Sequence, residues 1–307
     1  MEGVTDATMR SFLTALGGYR YCVTEFIRIS NNVPSERAFR KHVPELQQGS
    51  LTPSRVPVQV QLLGGDVDLL TQSALSAVAA GATAVDINFG CPAPIVNRHD
   101  GGAALLKYPD RIYNIINTLR MTLPRSIPVS AKLRLGFENP EDIFFNAQQV
   151  ERAGADWITI HARTKIQGYR PPAHWHFIAK VRERLNIPVV ANGDIWDFEA
   201  FKRCHELTKC QHFMLGRSAL ANPFLAREIE RFFNRSQSSA ESADRTLPVF
   251  WSNVFQKFAS HAQQGDGYVL SRIKMWVSMI SISTPVTWGQ SVKRAQSLEE
   301  VFEILNR

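Results

Sequence analysis

Four cysteines in 307 residues, none in a CxxC pair or a Cys/His set with zinc spacing, are too few for a disulfide framework. Reduced thiols and the absence of a metal are the expectation. Also missing are any run of about eighteen apolar residues and any basic-then-apolar leader, so neither a membrane span nor a signal peptide is expected, and the predicted location is the cytoplasm. No GxGxxG follows an early strand, which removes the main support for a doubly wound open sheet. Internal repeats and long low-complexity tracts are lacking as well.

What is present is a 44% hydrophobic chain with a net charge of +7, enough for one large domain and a smaller one. The charge is compatible with a nucleic-acid partner and equally with a solvated basic face. From Glu241 onward seven Lys/Arg stand against six acids, so the excess is spread over the first three quarters of the chain.

Up to about residue 235 one theme recurs: a short β-branched apolar run, a loop, then a helical stretch. The strand candidates lie at 21–26, 56–64, 84–90, 128–136, 157–163, 188–195 and 212–220, and the helices between them include 67–81, 109–123, 141–154 and a stretch from Trp175. Parallel β/α units follow, with strands covered on both faces. Seven strands are one short of a (β/α)8 barrel. The expected fold is therefore a TIM barrel lacking most of its first strand, which would lie upstream of Met1. Residues 234–248, NRSQSSAESADRTLP, read as a linker, and the apolar periods beyond them predict a small all-helical domain. The domain division is placed at 1–240 and 241–307.

Barrel active sites lie at the carboxyl-terminal mouth, toward which alternate strand residues point. Gln59/Gln61, Asp86/Asn88, Lys132/Arg134 and Thr159/His161/Arg163 put polar residues at one parity. For one residue such as Gln61, mutual satisfaction at a wet barrel end is reading enough. For all four strands together, with Lys132 and Arg134 side by side, a bound anionic or strongly hydrogen-bonding ligand explains more. The glycines in ANGDI (191–195) and LGRSAL (215–220) propose Gly193 and Gly216 as backbone donors to a phosphate, with Arg217 as a charge partner. Cys22, Cys204 and Cys210 read as small buried hydrophobes. Cys91 differs, because Gly90 and Pro92 end its strand and lift the thiol over the mouth, where it would act as a proton donor or, with a base, as a nucleophile.

MEGVTD, VQLLGG, DINFGCP, KLRLG, HARTKIQGY, ANGDIWD and LGRSAL, in this order and spacing, resemble the tRNA-dihydrouridine synthases, and the general run is most like their bacterial U16-specific DusC subgroup. The resemblance spans essentially the whole chain. It implies an FMN-bearing barrel reduced by NADPH, with a helical C-terminal domain, that converts uridine of the tRNA D-loop to 5,6-dihydrouridine at position 16. Cys91 matches the cysteine that protonates C5. Gln61, Lys132 and His161 match contacts to the flavin ring and ribityl chain, Asn88 a contact to flavin or uracil, and Asn192, Gly193, Asp194, Gly216 and Arg217 the phosphate side. Met1 stands where the family has the Met of Ala-Pro-Met, whose backbone touches flavin. For tRNA the resemblance points to Arg28, Arg272, Lys274 and Trp276, with Arg134, Arg163 and Tyr169 near the target nucleotide. Trp276 also reads as helical core, and Arg272 and Lys274 as a solvated face. Ala93-Pro94 replace the usual Ser-Lys after the cysteine, and Ala162 a usual glycine. A monomer without metal or membrane association is expected. A free-pyrimidine reductase and a non-catalytic RNA-binding protein are the rival readings.

Overall fold

Each predicted β-branched run forms a strand, because its apolar parity is sealed by the helix that follows it. The computed structural model describes residues 3–98, 100–235 and 244–307. Its strands are β1 (Cys22–Val23), β2 (Ile27–Arg28), β3 (Val58–Leu63), β4 (Val85–Asn88), β5 (Val129–Arg134), β6 (Trp157–His161), β7 (Val189–Asn192) and β8 (His212–Met214). All ladders are parallel and run in chain order, with β1 and β2 pairing with successive parts of β3. The run predicted at 21–26 holds only β1, the strand resuming as β2 beyond the predicted end after an interruption over 24–26. There the Gln61 N–H donates to Thr24 Oγ1 at 3.0 Å, a side-chain oxygen standing in for a ladder carbonyl.

Helices Val67–Ala79, Pro109–Thr122, Asp142–Arg152, Trp175–Arg182 and Phe198–Thr208 separate the later strands, giving a TIM-like half-barrel of seven sheet positions. The first of these helices is capped by Asp66, whose carboxylate accepts the Leu69 N–H at 2.8 Å. Val60, Leu62, Val85, Ile87, Ala131, Leu133, Ile158 and Ile160 are fully buried on the helix-facing parity. The run at 212–220 departs from expectation: only its first three residues are strand, and Ser218–Ala221 are helical, since Gly216 C=O accepts the Ala219 N–H and turns the chain.

Two compact units divide the chain. One comprises Met1–Ala7, Arg20–Ile195 and Glu199–Met214; the other comprises Thr8–Tyr19, Trp196–Phe198 and Leu215–Arg307. The expected boundary at 240/241 and most of the expected linker fall outside the described residues. The second unit is helical, and its core is aromatic. Trp276 on helix Asp266–Ser283 lies 5.5–5.8 Å, centroid to centroid, from the rings of Phe12, Phe255 and Phe258. Among the described residues no helix is long and apolar enough to cross a membrane, and no His/Cys/Asp/Glu group could hold a metal ion.

Candidate active site

Strand register stacks the inward parity into layers. Gln61, Asp86, Ser130 and Trp157 are successive neighbours; one step toward the carboxyl ends come Asn88, Lys132, Thr159 and Val190, then Arg134, His161, Asn192 and Met214. Hydrogen bonds join Gln61, Asp86 and Ser130 of the lower layer to one another and to Gln59. Gln61 Nε2 donates to Asp86 Oδ2 at 2.7 Å, Ser130 Oγ to Asp86 Oδ1, and Gln59 Nε2 to Ser130 Oγ at 2.8 Å. Above it, Asn88 Nδ2 donates to Gln61 Oε1 at 2.8 Å, and Asn88 Oδ1 accepts the Gly90 N–H at 2.9 Å. Asp86 and Asn88 stand out by parity alone. Ser130, on the same parity two residues before Lys132, is missed by the sequence pattern as drawn and is found by extending it one step.

Lys132 is half-buried and has no hydrogen-bond or ion-pair partner among the described residues. Desolvation and the neighbouring Arg134 pull its pKa down to about 8, against the pull of Asp86 and Cys91. Arg134 is not an open ligand. It is 2% exposed, and its guanidinium donates to the carbonyls of Gly90, Thr164 and Gly168 at 2.8, 2.9 and 2.7 Å, tying the loop after β4 to the loop after β6. Tyr169, 55% exposed, covers it with its ring 5.2 Å away and meets His161 edge-on at 6.2 Å.

Arg163, expected near the target nucleotide, is engaged within the protein. It is fully buried, bonded to the Asp194 carboxylate and to the Arg170 carbonyl at 2.7 Å. Asp194, at φ +54°, also accepts the Ala173 N–H at 3.0 Å. Both bonds fall on one carboxylate oxygen and tie the loop after β7 to the loop after β6. Asn192 is bound to the Met214 carbonyl at 2.7 Å. Gly193 takes φ +114°, and its carbonyl accepts the Trp175 indole N–H at 2.7 Å.

The loop after β4 carries Cys91, half-buried and outside any disulfide. Its carbonyl accepts Asn97 Nδ2 at 3.0 Å and the Ala103 N–H at 3.1 Å, and sequence reasoning misses both anchors because they follow in the next turn rather than in the motif. Gly102, at φ +58°, packs so closely that a Cβ would meet the Cys91 oxygen at 2.9 Å and its Cβ at 3.1 Å. Only glycine suits both the left-handed backbone and the contact. Arg28 reaches the same loop through a 3.4 Å bond to the Ile95 carbonyl. Cys204 and Cys210 are buried hydrophobes as expected, and burial pushes the Cys204 thiol up to about 12.

The remaining expected residues lie in the second unit or outside the described chain. Trp276 is fully buried and donates its indole N–H to the Leu220 carbonyl at 2.7 Å, so it belongs to the helical core and offers no surface to RNA. Arg272, partly exposed, lies 5.3 Å over the Tyr268 ring, with Lys274 partly exposed on the same helix. Arg217 sits 5.1 Å over the Trp196 ring, one residue after Gly216. Met1 falls outside the described residues.

The fold is shared with solved structures of low sequence identity. A 2-naphthoyl-CoA reductase matches 74% of this chain and 47% of its own at a TM-score of 0.57 and 10% identity, and a histamine dehydrogenase from Rhizobium sp. 4-9 matches 85% and 47% at 0.57 and 11%. Sequence relatives reach further. A protein of Neisseria meningitidis serogroup A named tRNA-dihydrouridine(16) synthase is 41% identical over 308 residues, covering 100% of this chain and 92% of its own. One of the same name from Shewanella oneidensis is 40% identical over 314 residues, covering 100% and 96%. The family model described as dihydrouridine synthase (Dus) matches residues 1–305, and with the polar mouth and its Asn-x-Gly-Cys-Pro loop in place the chain belongs to that family.

Proposed function

We propose that this protein reduces uridine to 5,6-dihydrouridine in the D-loop of tRNA, at position 16, using FMN replenished by NADPH. The observation that carries the reading is the coincidence of a reduced, half-buried thiol at Cys91 with an unpartnered cation at Lys132, both above a polar barrel floor. The donor set fits a flavin. Lys132 has no hydrogen-bond acceptor or ion-pair partner among the described residues, Gln61 and Asn88 each keep a further amide N–H and lone pair beyond their internal bonds, and His161 sits in the adjoining layer. These four residues would hold it, and Gly193 brings bare backbone beside His161, an added Cβ coming within 3.4 Å of that ring. When bound, reduced FMN supplies the hydride for C6 of the uracil. Cys91 supplies the proton for C5, a thiol being a competent general acid at hydrogen-bond range. Its loop is held at a set height by the Asn97 and Ala103 bonds, and Arg134 ties that loop to Tyr169's, which presents an exposed ring for base stacking. Arg28, Arg272 and Lys274 are assigned to RNA phosphates.

The test is direct. The purified chain is examined for flavin absorbance and assayed with NADPH on unmodified tRNA, and dihydrouridine is mapped by position. Appearance of the modified base at position 16 is expected. A protein that takes up FMN and reduces only free pyrimidines would replace the substrate assignment, and one that neither binds flavin nor consumes NADPH would overturn the reading.

A further inference from the structure

The hydrogen bonds that converge on Asp86 all run in one sense. A backbone N–H can only donate, so the Gly90 bond makes Asn88 Oδ1 an acceptor and turns Nδ2 to Gln61 Oε1. That in turn leaves Gln61 Nε2 to donate to Asp86 Oδ2 at 2.7 Å. From the opposite side the Gln59 amide donates to Ser130, whose hydroxyl donates to Asp86 Oδ1. Both carboxylate oxygens accept, as in the ionised form. Burial, the largest influence, pushes the pKa of Asp86 above the usual carboxylate value, while Ser130, Gln61 and the Lys132 cation pull it back.

We infer that Asp86 is a positioning residue for the proposed reaction: its carboxylate is the terminal acceptor that keeps the amide polarity of Gln61 and Asn88 matched to the Gly90 N–H, and so holds the loop that carries Cys91. The inference rests on the reading of this mouth as the flavin and uracil site. Its content is specific, because each amide is left with one N–H and one lone pair of fixed sense to offer a ligand, and that sense needs an acceptor at residue 86 beneath to match the backbone donor above. A merely space-filling polar floor would show no such dependence on which member carries the charge.

Relocating the charge separates the two. Gln61→Glu sets two carboxylates face to face at the Asp86 link, and Asn88→Asp forces Gln61 to serve two facing acceptors with one N–H side. Adding Asp86→Asn repairs either variant on paper: in Q61E/D86N the amide now at position 86 donates to the carboxylate now at position 61, and in N88D/D86N the Gln61 amide turns over, every link again having a donor and an acceptor. The readout is the rate of Cys91 alkylation by iodoacetamide in the full chain, followed by mass spectrometry, with the thermal midpoint recorded alongside. The single variants are expected to change the rate by roughly fivefold or more, and the double variants to return to within about twofold of the starting protein. Single variants that alkylate like the starting protein, or double variants no closer to it than the singles, would overturn the inference. Should both single variants fail to fold, the two double variants still decide, since rates that both depart from that of the starting protein by roughly fivefold would show that charge at residue 86, not the polarity of the amides, governs the loop. Alkylation requires neither tRNA nor NADPH, so failure of dihydrouridine formation would sink the functional reading without touching this test.

Discussion

Flavin affinity should fall as pH rises through 8, because the unpartnered Lys132 loses its proton there rather than near the value of a free lysine. The pKa is lowered to about 8, so the ammonium is fully present well below that pH and is lost above it. If the cationic form is the one that binds FMN, the apparent Kd scales as one plus the ratio of deprotonated to protonated lysine. That gives a weakening of about eightfold between pH 7.5 and pH 9, or ~1.3 kcal/mol. The phosphate of the ligand loses its second proton near pH 6, as phosphomonoesters do, and contributes no slope over this range. Titrating FMN fluorescence against the flavin-free chain at half-unit pH steps measures it. Lys132→Arg, which stays charged throughout, removes the slope and corrects for any ionisation of the ring itself. Lys132→Gln is expected to be weak at every pH and equally flat. A Kd for the unaltered protein that holds within about twofold from pH 7.5 to 9 would refute the argument, showing either that Lys132 does not meet the flavin or that its environment is not the desolvating one described.

Cys91→Ala should retain flavin absorbance and tRNA binding while dihydrouridine formation drops by about 10²–10⁴, the usual worth of a general acid; undiminished turnover would remove it from that role. Trp276→Ala should cost about 3–5 kcal/mol of stability in a denaturant melt, as expected for a fully buried indole, and a stability change under about 1 kcal/mol with a lost tRNA affinity would return it to the RNA surface. Lys274→Ala should reduce the slope of log affinity against log salt by about 0.7–0.9 if that residue neutralises one phosphate, whereas an unaltered slope would leave it a solvated face. Arg163→Leu should destabilise by about 3–5 kcal/mol through the stranded Asp194 carboxylate, and Asp194→Asn in the same chain should recover part of the loss; independent effects would dissolve the pair.

The barrel is legible in the sequence because each strand is short, β-branched and sealed by a helix, so the run itself carries the pattern. The mouth is legible for a related reason: parity alone puts Gln61, Asp86, Asn88, Lys132 and His161 on one side. What parity does not supply is who satisfies whom. Lys132 and Arg134 look equivalent in sequence, yet one stands unpartnered and the other spends its donors on Gly90, Thr164 and Gly168, carbonyls delivered by two loops forty-four and about thirty residues away. The partners of Arg163 are hidden for the same reason, since Asp194 and Arg170 meet it only after the sheet has formed. Trp276 shows a different limit. Helical spacing marks a face but not its occupant, and the rings of Phe12, Phe255 and Phe258 claim it from three separate stretches of chain.

The interrupted strand position at 22–28 has its own consequence for amide hydrogen exchange. Ladder bonds protect the Thr24 N–H against the Gln59 carbonyl and the Ile29 N–H against that of Leu63, but between them the Gln61 amide is guarded by a single hydroxyl. Its deuteration rate is therefore tied to the torsion of one Thr24 side chain, whose own proton is held by the Glu25 carbonyl at 2.8 Å. Thr24→Val, nearly isosteric, would unlock that amide alone while its neighbours in β3 kept their protection, giving a single-site spectroscopic clock for the breathing of the barrel mouth.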